Sequence, residues 1–140
     1  MEDYEQYEAD CEEIRKENEA LLSLFEKHLE QANLSTKTIK NHVDNVNFYI
    51  NQYLLYYEAI PANKGVFEVG DFLGDWFVRK AMWSTAAQIK KNATSFKKFY
   101  AFLLEQQLIQ KQDLEELKEI IKEQMNDWLE NVNDYNNSFF

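Results

Sequence analysis

Six lysines and one asparagine have the type and spacing to recognise a ligand: Lys37, Lys40 and Asn41 in one stretch, and Lys90, Lys91, Lys97 and Lys98 in another. An ammonium group is a charged triple donor suited to phosphate oxygens, and an asparagine carboxamide can both donate to and accept from a base edge. If residues 86–107 form a helix with its apolar face centred near Ile89, a step of about 100° per residue puts Lys97 near 80°, Lys90 near 100°, Lys98 near 180° and Lys91 near 200°. The same construction around Val43 and Ile50 puts Lys40 near 100°, Lys37 near 160° and Asn41 near 200°. Both sets turn away from an apolar face. Such faces suit phosphate contact with Asn readout of bases, and they equally suit plain solvation. Asp44, Asn45 and an outward Phe48 share the first of these polar faces.

Other chemistry finds no comparable constellation. The chain contains no glycine-rich phosphate loop, no His-Glu-x-x-His, no Gly-x-Ser-x-Gly and no Cys-x-x-Cys. His28 and His42 fall on different helices and read as ordinary, partly exposed side chains. Cys11 is the only cysteine, so it has no disulfide or metal-binding thiol partner within the chain and reads as a small buried hydrophobe in a reducing compartment. Trp76, Trp83 and Trp128 fall mostly at core spacing, which favours packing over a platform for stacked bases. No catalytic residue, metal site or cofactor is expected.

Charge is arranged in blocks. The formal net charge of −10 opposes polyanion binding when taken as one number. Residues 1–34, however, carry three basic and eleven acidic side chains, residues 35–104 nine and five, and residues 105–140 three and nine. A basic centre lies between two acidic ends. The acidic start lacks the basic and then apolar pattern of a signal peptide, and no apolar run is long enough to span a membrane, so a cytoplasmic protein without a membrane partner is expected.

Helices must position these residues. With three Gly and one Pro in 140 residues, 45% hydrophobic, the chain has material for a core but little turn chemistry for a many-stranded sheet. An all-α, compact bundle of four to five helices is predicted. The first helix runs from Tyr4 to Ala32, with Tyr4, Tyr7, Cys11, Ile14, Leu21 and Phe25 stepping by three and four and Asn18 interrupting them. This stripe is expected to pack on the C-terminal helix, or else to project and pair with a partner.

Ser35 is the expected N-cap of a second helix that buries Ile39, Val43, Val46, Ile50, Tyr53, Leu54 and Tyr57 and ends before Pro61. A loop over 59–68 follows. Asp71 should cap a short helix burying Phe72, Leu73, Trp76 and Phe77, and Ser84 should cap one running to about Gln107 on Ile89, Ala93, Phe96, Tyr100 and Leu103. Asp113 and Glu116 resemble a capping pair for a last helix carrying Leu114, Leu117, Ile121, Trp128 and Val132. Residues 133–140 should fray. The organisation read from these signals is an acidic helical extension at 1–20, a helical domain at 21–109, and an acidic helix and tail at 110–140.

Four runs in this order, Leu34-Ser-Thr-Lys-Thr-Ile-Lys-Asn-His-Val43, Phe72-Leu-Gly-Asp-Trp-Phe77, Trp83-Ser-Thr-Ala-Ala-Gln-Ile89 and Ser95-Phe-Lys-Lys-Phe-Tyr-Ala-Phe-Leu103, resemble the N-terminal core-binding domain of tyrosine recombinases and phage integrases. The match covers about residues 21–109. The resemblance implies a SAM-like bundle that clamps one side of double-stranded DNA while a separate catalytic domain grips the other, with the second and fourth helices toward the major groove. It makes Lys37, Lys40, Asn41, Lys90, Lys91, Lys97 and Lys98 the expected DNA contacts, and DNA recombination and integration the implied setting.

The departures concern chemistry. The family uses two arginines, a His-x-x-Arg element, a lysine and a nucleophilic tyrosine in its catalytic domain. Here the only arginines are Arg15 and Arg79, and neither histidine begins His-x-x-Arg. This chain alone is expected to be non-catalytic, acting with a recombinase catalytic domain or another copy of itself. The alternative is an acidic helical module for protein–protein interaction or regulation, using the Tyr4–Phe25 stripe.

Overall fold

A computed structural model describes residues 2–138, and among them every regular element is helical and no strand occurs. The all-α expectation holds. Two compact units meet at the Gly65–Val66 junction.

The first unit is built on α1 (Glu2–Gln31) and α2 (Thr36–Asn47). Ser35 caps α2 as expected, its hydroxyl accepting from the Thr38 amide at 3.2 Å. At the end of α1, Asn33 adopts φ 62°, and the Leu34 amide reaches back to the Leu29 carbonyl at 3.5 Å, closing the helix in a left-handed turn. α2 continues into a wider π turn, Phe48–Tyr53, where the Leu54 amide bonds the Tyr49 carbonyl five residues back.

That extra residue per turn rotates everything after it. Tyr53, Leu54 and Leu55 are all buried, whereas Tyr57, expected on the same face, is exposed. Phe48, expected outward, is half-buried where the π turn begins. His42, expected partly exposed, is buried in α2 beside Ile39 and Val46, while Val43 is only half-buried. The expected loop contains two short 3-10 turns, Ala62–Lys64 and Val66–Glu68, and the Tyr49 hydroxyl donates to the Gly65 carbonyl at 2.6 Å.

The stripe on α1 is used inside this unit. Within the first unit Cys11 and Ile14 pack against Leu55, with Tyr7 and Ala59 at the edge. Asn18 does not interrupt the packing. It is 1% exposed and donates to the Ile50 carbonyl at 3.3 Å and to Asn51 Oδ1 at 2.8 Å. Higher up, the Tyr7 hydroxyl donates to the Leu55 carbonyl, which Cys11 Sγ also approaches at 4.0 Å. The polar members of the stripe therefore answer carbonyls at the C-terminal end of the second helical segment, where the regular helical donors run out.

The second unit holds α3 (Val69–Asp71), a π turn Phe72–Trp76, α4 (Phe77–Lys80), α5 (Ala86–Glu105) and α6 (Lys111–Asn137). Phe72, Leu73, Trp76 and Phe77 are buried as predicted, and Phe72 packs at 5.8 Å from Phe96 of α5. The expected apolar residues of α5 and α6 are buried as well. α6 crosses the π turn closely. A methyl group on Gly74 would lie 2.9 Å from Trp128 Cδ1, and Asn131 Nδ2 donates to the Gly74 carbonyl.

Several helix ends differ from the sequence expectation. Asp71 lies inside the helical segment, which is already under way at Val69 after the 3-10 turn. Thr85, not Ser84, caps α5 by accepting from the Gln88 amide at 3.1 Å, while Ser84 Oγ donates to the Val78 carbonyl. α6 starts three residues early, with Gln110 as N-cap and Asp113 as the acidic residue that reaches back to the Gln110 amide at 3.0 Å. Residues 133–137, expected to fray, are helical because Val132 is buried and Asn136 Nδ2 holds the Ser84 carbonyl at 3.0 Å. Phe139 and Phe140 of the expected tail lie outside the described residues.

Candidate nucleic-acid interface

The seven expected contacts divide between the two units, with Lys37, Lys40 and Asn41 on α2 and Lys90, Lys91, Lys97 and Lys98 on α5. All seven are exposed. Their surroundings differ.

On α5 the buried residues Ile89, Asn92, Ala93, Ser95, Phe96, Phe99, Tyr100, Phe102 and Leu103 span about half the circumference. The buried arc centres nearer Asn92 than Ile89, about 45° round from the sequence expectation. Two buried polar groups fit this arc because each bonds its own helix. Asn92 Nδ2 donates to the Gln88 carbonyl at 2.8 Å, and Ser95 Oγ donates to the Lys91 carbonyl at 3.0 Å. What is left outside is a narrow strip bearing Lys90, Lys91, Thr94, Lys97 and Lys98. No acidic residue occurs on α5 before Glu105. Among the described residues, none of the four ammonium groups takes part in an ion pair. From Lys90 to Lys97 the helix rises about 10 Å, a length over which duplex DNA presents about six phosphates.

On α2 the cations are fewer and partly neutralised. Lys40 Nζ bonds Asp44 Oδ2 at 2.6 Å, and the same two residues line a shallow groove with Glu26, Glu30, Thr36, Ile39 and Val43. Three carboxylates thus face the position from which Lys40 would reach a phosphate. Lys37 and Asn41 are exposed on this helix without that enclosure. Thr94 is the residue of the α5 strip that sequence reasoning passed over. Its threonine hydroxyl donates to the Lys90 carbonyl at 3.1 Å, a helical spacing of four that a sequence does reveal once the face is known.

The remaining chemistry is sparse. Burial drives the Tyr100 phenol far above its ordinary range, so it stays protonated inside the second unit. Partial burial, and then hydrogen bonding with Cys11, raises Tyr7. The Arg79 guanidinium grips Asp75 through two bonds of 2.9 and 3.0 Å and lowers its carboxyl, a pairing that answers for one of the two arginines. On α6 the neighbouring Glu119 raises Glu123, by a shared hydrogen bond and by repulsion. Among the described residues no group of three His, Cys, Asp or Glu side chains is arranged to hold a metal, and no helix is long and apolar enough to cross a membrane. No family model, curated protein or solved structure matches this chain.

Proposed function

We propose that this chain is a cytoplasmic, double-stranded DNA-binding module of the kind its sequence resembles, the core-binding half of a tyrosine recombinase or integrase, without catalysis of its own. The observation that carries the reading is the outward strip of α5, four lysines over two helical turns with no carboxylate among them. Lys90, Lys91, Lys97 and Lys98 contact phosphates. Lys37 and Asn41 add contacts from α2, and Lys40 contributes least because Asp44 already holds it.

A protein that neutralises four phosphates releases the counterions they had condensed. Its affinity then falls with salt to about the 3.6 power, or about 150-fold between roughly 50 and 200 mM. Fluorescence anisotropy of a labelled mixed-sequence duplex over that range measures the slope. Absence of binding at about 50 mM salt overturns the reading. The acidic interaction module remains the contrasting reading, but the α1 stripe it would use is largely occupied by Leu55 and its neighbours.

A further inference from the structure

The turn between α4 and α5 presents two exposed apolar side chains. Met82 is 100% exposed and Trp83 is 55% exposed, whereas Trp76 and Trp128 are 4% and 3% exposed. Leaving a methionine and much of an indole in water forgoes apolar burial, so the two adjacent exposures form an apolar tip with something to gain from an occupant. The tip is held on both sides. The Ala81 amide bonds the Phe77 carbonyl at 3.0 Å, the Ser84 amide bonds the Ala81 carbonyl at 3.2 Å, Ser84 Oγ reaches the Val78 carbonyl, and Asn136 of α6 holds the Ser84 carbonyl. Trp83 itself rests edge-on against buried Phe77 at 6.2 Å. The backbone of the tip therefore has little ordering entropy left to lose on contact.

Charge decides the class of occupant. Lys80 is exposed just before the tip, beside an Arg79 already held by Asp75, and Lys90 and Lys91 begin the cationic strip about 8 Å along α5 from its cap at Thr85. An aromatic and an unbranched apolar side chain flanked by cations match a polyanion that also offers flat apolar faces. Nucleic acid has that combination, since phosphates meet the cations and every base has a face on which an indole can stack.

Resting on the DNA reading, we propose that the Met82–Trp83 turn is the base-contacting element of this protein, with Met82 wedged at a base step and Trp83 stacked on the base it exposes, while the α5 lysines hold the flanking phosphates.

Because the other two indoles are buried, Trp83 is the accessible fluorophore of the intact chain. Titrating the full chain with duplex should quench its emission, and a 2-aminopurine placed in the duplex should brighten as it unstacks. Trp83→Ala should bind about tenfold more weakly. Its salt slope should be unchanged, since stacking releases no counterions. Met82→Ser, at a side chain that supports nothing in the fold, should weaken binding in the same direction with unchanged thermal stability. If the duplex binds with its full salt dependence but neither variant loses affinity and the indole is not quenched, the tip is not a base contact and the phosphate reading alone survives. If no duplex binds, both fail together. If vesicles of phosphatidylserine shift the indole emission and duplex does not, the tip serves an anionic membrane surface and the proposal is overturned.

Discussion

Each unit of this protein contains a π turn, and each turn has a carbonyl that accepts from an asparagine on the long helix packed beside it. In the first unit Asn18 of α1 serves Ile50 from a buried position, and in the second Asn131 of α6 serves Gly74 from an exposed one. The register of α1 is therefore set by a buried polar bond, and that of α6 by shape, because Trp128 fits only where residue 74 has no side chain. The outer faces diverge too. The first unit, with six basic and thirteen acidic residues, encloses Lys40 among carboxylates, while the second, with nine and twelve, confines its acids largely to α6 and leaves one face of α5 wholly cationic. Net charge separates the units less than the segregation of charge between helices does.

The largest effect should come from breaking the shape-based contact. Gly74→Val places branched carbons into the Trp128 ring, whose position is fixed by burial, and should cost about 3 kcal/mol in urea unfolding. Gly70→Ala is the control. Its nearest neighbour is the end of the flexible Gln124 side chain, so the clash relaxes, and better helix propensity offsets the remainder. Equal losses at the two glycines would show that α6 does not depend on close approach at Gly74.

Next in size is the contrast between lysine faces. Replacing Lys90, Lys91, Lys97 and Lys98 with Gln should lower duplex affinity about a hundredfold at low salt and flatten the salt slope. Replacing Lys37 and Lys40 with Gln should cost less than tenfold, since Asp44 has already met one of the two charges. Anisotropy titrations of both variants at two salt concentrations measure this difference. A larger loss from the α2 pair would reverse the ranking and move the interface to the first unit.

Asn18→Leu tests the buried polar contact. Leucine suits the stripe and gains apolar burial, but it leaves the Ile50 carbonyl without the Asn18 donor, and the net cost should be about 2 kcal/mol by thermal or urea unfolding. Asn131→Ala should cost about 0.5–1 kcal/mol, because water can take the place of an exposed donor.

This asparagine also marks how much of the molecule was legible in advance. The stripe, the buried faces of α5 and α6, the Ser35 cap and the exposure of the seven polar residues follow from helical spacing and cap chemistry, which are local. The π turns do not, since one extra residue in a turn is settled by the packing around it. That extra residue is why Tyr57, which follows it, left the predicted face, whereas the burial of His42 and of Asn18 depends on tertiary neighbours that helical spacing does not reveal. Charge neutralisation is similarly hidden, because the Asp44 spacing from Lys40 is visible but the neighbouring Glu26 and Glu30 come from a different helix. For the tip, adjacent Met82 and Trp83 carry no periodic signal, and only their exposure distinguishes Trp83 from its two buried counterparts.

The smallest predicted effect compares the two helix ends that turn left-handed. α1 closes on Asn33 at φ 62° and α5 on Gln107 at φ 61°, where the Leu108 amide bonds the Leu103 carbonyl at 2.9 Å. Both residues adopt a conformation that crowds a Cβ, but asparagine tolerates it better because its short side chain can bond locally. Gln107→Gly should therefore stabilise the protein by about 0.5–1 kcal/mol, after allowing for the extra freedom glycine has when unfolded. Asn33→Gly should gain less, about 0.3 kcal/mol or nothing. Paired urea denaturation curves resolve the difference if the denaturant slopes match. Gln107→Gly without any gain would mean that its side chain supplies a contact at the end of α5 worth as much as the strain it removes.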